Sequence, residues 1–180
     1  MVGPFRVRWH NDIKVAVAEA LRKAGAIVEV ESHVPELYQT DRDGGVREAI
    51  LDVCWRWPAN VTWTWLDVTV HSYPDGEARA AAADVHVATR AAERAKRQRY
   101  GDRVAAFAVG IGGRLGQDAL AILRQIDVDA ASHAWATRGL PAPPPSRALL
   151  AAISVAGVAA EAEAILGATA PVPPLEEEEG

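Results

Sequence analysis

The spacing of apolar positions divides this chain into predicted helices and strands. Apolar residues that recur every three or four positions predict helices, and apolar residues that alternate with polar ones predict strands. The predicted helices are one that Asn11 caps and Gly25 ends, one from Pro74 to about Tyr100, one over 115–133 and one over 146–166. The predicted strands are 26–31, 49–57, 62–71 and 103–109. The element order αβββαβ, followed by C-terminal helices, predicts an α+β fold in which helices flank a central mixed sheet.

The segments between these elements set the expected domain boundaries. Residues 32–47 form a polar loop with a turn at Asp43-Gly44-Gly45. Residues 139–145 contain four prolines, which are typical of a stiff linker. Residues 168–180 combine prolines with four consecutive glutamates, a composition that predicts disorder. We therefore expect a domain over 1–138, a linker over 139–145, a helix over 146–167 and an acidic tail over 168–180.

The strands 49–57 and 62–71 flank a turn-like segment and predict a β-hairpin. If the loop is 58–61, the numbers of paired residues sum to 119, and Asp52 lies directly opposite Asp67. Side chains alternate between the two faces of a strand, so the apolar residues of the hairpin are expected to share one face. These apolar residues are Leu51, Val53, Trp55, Trp57, Leu66, Val68 and Val70.

The facing aspartates are the clearest chemical signal in the hairpin. Residues that are paired across strands have β-carbons about 4.5–5.5 Å apart. Two carboxylates at that distance repel each other, so one must be protonated or a cation must lie between them. Oxygen ligands suit a hard cation such as Mg²⁺. The alternative is that Asp52 and Asp67 are strand-end residues that turn into solvent, and the hairpin pattern by itself leaves both readings open.

Composition and charge narrow the class of protein. The chain is 49% hydrophobic, as expected for a globular protein, and its net charge of −5 does not indicate nucleic-acid binding. Four of its negative charges lie in 176–179. The single cysteine, Cys54, excludes an internal disulfide and a cysteine-rich metal site, and we expect it in the core. Residues 1–10 lack the apolar region of a secretory signal, and the longest uncharged apolar run, 148–160, is too short to span a membrane.

Lys96 is a second candidate for chemistry. In the predicted helix it continues the stripe formed by Val85, Thr89 and Ala92, and Tyr100 follows one turn later. A lysine on the inward face of a helix is unusual and requires an anionic partner, for which the aspartate pair is the candidate. The alternative is a solvated helix end, where the helix dipole favours cations.

Other charged residues have a functional and a structural interpretation. Arg94, Arg97 and Arg99 belong to a basic cluster that either contacts phosphates or stabilises the end of the helix. Glu31 is either a third carboxylate of the site or a charge on an edge strand. The histidines lack the spacing of zinc ligands, and His71 shares the strand face of Asp67, so it could border the site.

Taken together, these motifs resemble the restriction-like endonuclease domain of site-specific non-LTR retrotransposons, a branch of the PD-(D/E)XK nuclease superfamily. The resemblance covers residues 10–130. It is carried by His10, Ala24-Gly25-Ala26 leading to Glu31, Ile50-Leu51-Asp52-Val53, Leu66-Asp67-Val68-Thr69-Val70, Ala95-Lys96 and Tyr100-Gly101. Leu51 replaces the proline of the superfamily motif, and Thr69 stands at its usual lysine position, so the resemblance assigns the lysine role to Lys96.

The resemblance implies metal-dependent DNA cleavage, most simply nicking. It implies Asp52 and Asp67 as ligands of Mg²⁺ or Mn²⁺, Glu31 as an optional ligand, and Lys96 and Tyr100 as further catalytic residues. DNA and a reverse-transcriptase module of a parent polyprotein are the implied partners, with no membrane. The implied location is intracellular, and nuclear for a eukaryotic retroelement. The alternative is an inactive nucleic-acid-binding or structural remnant on the same fold.

Overall fold

A five-stranded mixed sheet forms the centre of the computed structural model, which describes residues 4–71 and 87–168. The helices in this part of the chain are α1 (Pro4–Ala24), α2 (Val87–Tyr100), α3 (Gln117–Arg138) and α4 (Pro145–Ala168). The strands are β1 (Ile27–His33), β2 (Gln39–Thr40), β3 (Val46–Arg47), β4 (Ile50–Arg56), β5 (Thr64–His71), β6 (Val104–Gly110) and β7 (Arg114–Leu115). The sheet order is β1-β4-β5-β6-β7, and β2 and β3 form a separate small hairpin. Strand β6 runs parallel to β5, whereas the other neighbours in the sheet are antiparallel. The predicted α+β class and mixed sheet are confirmed.

The predicted register of the β4–β5 hairpin is confirmed. Val53 pairs with Leu66, Cys54 with Trp65 and Trp55 with Thr64, so the paired numbers sum to 119. The connection between the strands is longer than the expected four residues, because β4 ends at Arg56 and β5 begins at Thr64. The next position of the same register is Asp52 opposite Asp67.

Leu51 departs from the predicted alternation. It packs in the cluster that contains Cys54 and Tyr100, on the opposite side of the sheet from Val53. The described pairing of β4 with β5 ends at Val53, and beyond it the N–H of Val68 donates to the Asp52 carboxylate instead of to the partner strand. The two strands therefore part at Asp52, and the simple alternation of faces does not hold there.

Helix α1 begins earlier than the sequence predicted. It starts at Pro4, so Asn11 and His10 lie within the helix rather than before it. Proline fits the first turn of a helix because the amide hydrogen that it lacks has no intrahelical partner there. The helix ends as predicted: Gly25 has φ +98°, and two backbone hydrogen bonds from Gly25 and Ala26 close a Schellman motif.

The helices cover both faces of the sheet. Helices α1, α3 and α4 share one hydrophobic cluster with the inward residues of β4, β5 and β6, and this cluster includes Trp55 and Trp57. Helix α2 covers the other face, where Tyr100 packs with Leu51, Cys54 and Val104. Leu149 and Ile153 of α4 are buried in the first cluster, so the proline-rich connection joins two helices of one core.

The predicted loop 32–47 is partly regular, since it contains a 3-10 turn at Pro35–Leu37 and the hairpin of β2 and β3. The predicted helix start at Pro74, the stripe residue Val85 and the acidic tail from 169 onward lie outside the described residues. Within the described ranges, no helix is both long and apolar enough to cross a membrane.

Candidate active site

The Asp52 and Asp67 carboxyl groups lie side by side where β4 and β5 part. They are close enough to share a hydrogen bond, and both are largely buried, with side-chain exposures of 15% and 9%. The alternative in which the two aspartates turn away into solvent is therefore wrong. The hairpin register brings the two residues to neighbouring positions, because Asp52 and Asp67 directly follow the pair Val53 and Leu66.

Asp52 is held from the side of α1. Its Oδ2 accepts a 2.7 Å hydrogen bond from the N–H of Val68 and lies 3.2 Å from Nε2 of His10. The same Nε2 lies 3.2 Å from the carbonyl oxygen of Val68. His10 and the Val68 backbone thus fix the orientation of the Asp52 carboxylate.

Asp67 is held from the side of α2. The Lys96 ammonium donates to Oδ2 of Asp67 over 2.5 Å. Thr89, Ala92 and Tyr100 are buried on the same stripe of the helix, which directs Lys96 towards the sheet. The prediction that Lys96 faces the aspartate pair is confirmed, whereas its role in a reaction stays a prediction.

The two carboxyl groups differ in proton affinity because their surroundings differ. Burial raises the pKa of Asp67 above its ordinary value; the Lys96 ammonium opposes this effect and the Asp52 charge adds to it. Burial also acts to raise the pKa of Asp52, but the hydrogen bond from His10, the His10 charge and the Val68 N–H together lower it. The hydrogen bond to Asp52 in turn raises the pKa of His10. Asp52 is thus the carboxyl group that ionises more readily.

The charges in and around the pair act on Tyr100 and His71. Tyr100 is buried, and burial raises the pKa of its hydroxyl, with the Asp67 charge acting in the same direction. Burial lowers the pKa of His71, and the charges of Arg6 and Lys96 add to that effect. Tyr100 is therefore within electrostatic reach of Asp67, and His71 is within electrostatic reach of Lys96.

The three arginines proposed for nucleic-acid contact have different surroundings. Arg94 is exposed on α2. Arg97 makes a two-point contact with the Asp118 carboxylate, at 3.0 and 2.8 Å. Arg99 donates to the carbonyl oxygen of Glu48 and stacks over the ring of Tyr100. Arg97 and Arg99 thus link α2 to neighbouring segments, and contact of the three arginines with phosphates stays a prediction.

Glu31 does not join the aspartate pair. Its neighbours Val30 and Ser32 pair with Val53 and Leu51, which places Glu31 next to Asp52 in the sheet. Its carboxylate, however, contacts the ammonium of Lys14 at 2.5 Å. In the part of the chain that the structure describes, no three His, Cys, Asp or Glu side chains are grouped for a metal ion.

The donor chemistry of the pair nevertheless fits a hard divalent cation. Asp52 and Asp67 together offer carboxylate oxygens, and burial disfavours the charged form of Asp67 unless a cation lies nearby. Lys96 already supplies one positive charge there. A divalent ion at the pair would therefore share Asp67 with Lys96 or displace its ammonium.

Sequence reasoning missed two residues of the site, His10 as a partner of Asp52 and Lys14 as a partner of Glu31. Both lie on α1, one turn apart on the same face. The sequence did not reveal this relation, because the predicted helix began after His10, whereas α1 begins at Pro4. Lys14 interrupts an apolar face, and that is the one signal by which its burial could have been noticed.

No protein-family model matches this sequence, and no curated protein matches it. The resemblance to the retrotransposon nuclease domain therefore rests on the motif residues themselves.

Proposed function

We propose that this chain is a metal-dependent DNA endonuclease that nicks its substrate, on a restriction-endonuclease-like αβββαβ core. One observation carries the proposal: two carboxyl groups on adjacent strands meet a lysine ammonium from the following helix, with Lys96 2.5 Å from Asp67. This combination of residue types is the one that the resemblance to the retrotransposon nuclease domain requires. The order of helices and strands is compatible with it.

In this proposal Asp52 and Asp67 would hold Mg²⁺ or Mn²⁺, and the ion would supply an activated water molecule for hydrolysis of the phosphodiester. His10 and the Val68 N–H keep the Asp52 carboxylate ionised and oriented. Lys96 leaves Asp67 when the substrate binds and stabilises the negative charge that develops on the phosphate. Tyr100 is buried one turn after Lys96 on the same stripe of α2 and would orient Lys96 or touch the DNA backbone.

A second candidate is a module that binds nucleic acid without cleaving it. The observation that favours it is the direct ion pair of Lys96 with Asp67, together with the lack of a third metal-ligating side chain among the described residues. In this candidate Lys96 neutralises the aspartate pair permanently. The fold is the same, and the two candidates differ in catalysis alone.

A plasmid-nicking assay with and without Mg²⁺ or Mn²⁺ separates the two candidates. The wild type should convert supercoiled DNA to open circles only when a divalent ion is present. Asp52→Asn should abolish nicking and leave the fold intact, since an asparagine oxygen can still accept from the Val68 N–H. Lys96→Ala should reduce the nicking rate by about 100-fold or more, the scale of one lost charge stabiliser in the transition state.

Arg94→Ala is the matched control, because Arg94 is an exposed cation on the same helix. It should alter DNA binding modestly and in a salt-dependent way, without a large change in the nicking rate at saturating DNA. If purified wild-type protein binds DNA but does not nick it with either metal ion, the binding module replaces the nuclease. Unfolding of Asp52→Asn would instead identify Asp52 as a structural residue.

A further inference from the structure

Lys14 is a buried cation that the proposed chemistry does not use. Its side chain is 11% exposed, although lysine is seldom buried. Its ammonium contacts Oε1 of Glu31, whose own side chain is 65% exposed. The buried charge of Lys14 is therefore neutralised by a carboxylate that is mostly exposed. The Glu31 side chain can move away into water at little cost in free energy, because most of it is already hydrated.

The backbone of Glu31 is unusual at the same point. Among the described residues, Glu31 is the one non-glycine residue with a positive φ, at 53°. A side chain in this region is strained, and such strain persists where surrounding structure imposes it. The position is next to Asp52 in the sheet, since Val30 and Ser32 pair with Val53 and Leu51. At this strained position within β1, the Glu31 carboxylate contacts Lys14 at the edge of the candidate site.

Lys14 is also linked to the aspartate pair through α1. It follows His10 by one turn, and its charge acts on His10, which contacts Asp52. Two largely buried lysines thus lie around the site: Lys96 from α2 contacts Asp67, and Lys14 from α1 contacts Glu31, the neighbour of Asp52 in the sheet. Each of them is neutralised by a carboxylate in the structure.

We propose that Lys14 is a second ligand for a substrate phosphate, and that Glu31 occupies its ammonium until the phosphate replaces it. This inference rests on the proposed nuclease function, because it assumes that a DNA backbone approaches the aspartate pair. A phosphodiester carries one negative charge and acceptor oxygens, so it can substitute for the Glu31 carboxylate at Lys14. Glu31 then competes with the substrate phosphate for the Lys14 ammonium.

Substitution of Lys14 and substitution of Glu31 should therefore have opposite effects on DNA binding. Lys14→Met should weaken binding of a short DNA duplex about tenfold near 0.1 M salt, since one phosphate contact changes log K by about 0.9 per tenfold change in salt. It should also reduce the slope of log K against log salt by about one. Glu31→Gln should strengthen binding, because the competing charge is removed. Lys14→Arg keeps the charge and should bind within about twofold of the wild type.

The pair Lys23 and Glu19 provides the matched control, because it is an exposed ion pair on the same helix, at 3.5 Å. Lys23→Met and Glu19→Gln alter the net charge by the same amounts as the test variants. They should leave the salt slope unchanged. Binding is measured by fluorescence anisotropy in the Asp52→Asn background, so that cleavage does not interfere.

A purely structural ion pair between Lys14 and Glu31 would give a different pattern. Both test variants would then weaken binding together as the fold loosened, or both would leave binding unchanged, and either result overturns the inference. If Lys14→Met weakens binding and Glu31→Gln strengthens it, but the wild type does not nick DNA, Lys14 is retained as a phosphate ligand and the nuclease function is rejected. Absence of DNA binding by the wild type at low salt would reject both proposals. Glu31→Gln preserves the burial of Lys14, so this variant decides the question even if Lys14→Met fails to fold.

Discussion

The ion pair between Lys96 and Asp67 should contribute measurably to stability, and Lys96→Met tests this contribution. Removal of one partner of a fully buried ion pair costs about 3–5 kcal/mol, because a buried charge is left uncompensated. The Lys96 side chain is 23% exposed and that of Asp67 is 9% exposed, so water recovers part of this cost. We expect the free energy of unfolding to fall by about 2 kcal/mol near neutral pH. In a chain of this length that is a decrease in Tm of about 4–8 °C.

The size of this loss should depend on pH, because Asp67 can take up a proton. Burial already raises the pKa of Asp67, and removal of Lys96, which opposes that shift, raises it further. A carboxyl group whose pKa is raised in the folded state stabilises that state, and this contribution is complete at pH values below the unfolded-state pKa. The contribution is lost as the pH rises through the folded-state pKa. The stability difference between the wild type and Lys96→Met should therefore be small near about pH 4 and grow towards neutral pH.

Urea unfolding followed by tryptophan fluorescence at several pH values measures this difference directly. Arg94→Met is the control, since it removes an exposed cation from the same helix and should cost about 0.5 kcal/mol or less. Asp67→Asn added to Lys96→Met should restore much of the lost stability, because no unpaired charge remains. A penalty that does not vary with pH, or that Asp67→Asn fails to relieve, would show that Lys96 stabilises α2 by packing alone.

Three further predictions concern other parts of the chain. Cys54 should resist iodoacetamide near neutral pH until the protein is unfolded, since burial raises its thiol pKa to about 11; mass spectrometry detects the adduct. Gly116→Ala should lower the free energy of unfolding by about 1–3 kcal/mol, because a β-carbon would overlap the Glu93 carboxylate, whereas Gly45→Ala should leave Tm nearly unchanged. Millimolar Mg²⁺ should raise the Tm of the wild type but not of Asp52→Asn, and equal melting curves would refute a preformed site.

The local features of this protein followed from the sequence. The pairing of β4 with β5 was predictable because the apolar pattern of the two strands restricts a hairpin to few registers, although the connection at 57–63 is longer than the predicted turn. The inward direction of Lys96 was predictable because helical periodicity places it in line with Thr89 and Ala92. Both inferences depend on neighbours in sequence or on one strand pair, where geometry is regular.

Tertiary structure decided the features that depend on how separate elements pack. Helix α1 had to be placed against β1, β4 and β5 before His10 could meet Asp52 and Lys14 could meet Glu31. The conformation of Glu31 is strained, so no local preference predicts it. The different pKa shifts of Asp52 and Asp67 likewise arise from partners on opposite faces of the sheet, His10 on α1 and Lys96 on α2. Periodicity shows which face of a helix is buried, but the residues that this face meets depend on contacts between segments far apart in the chain.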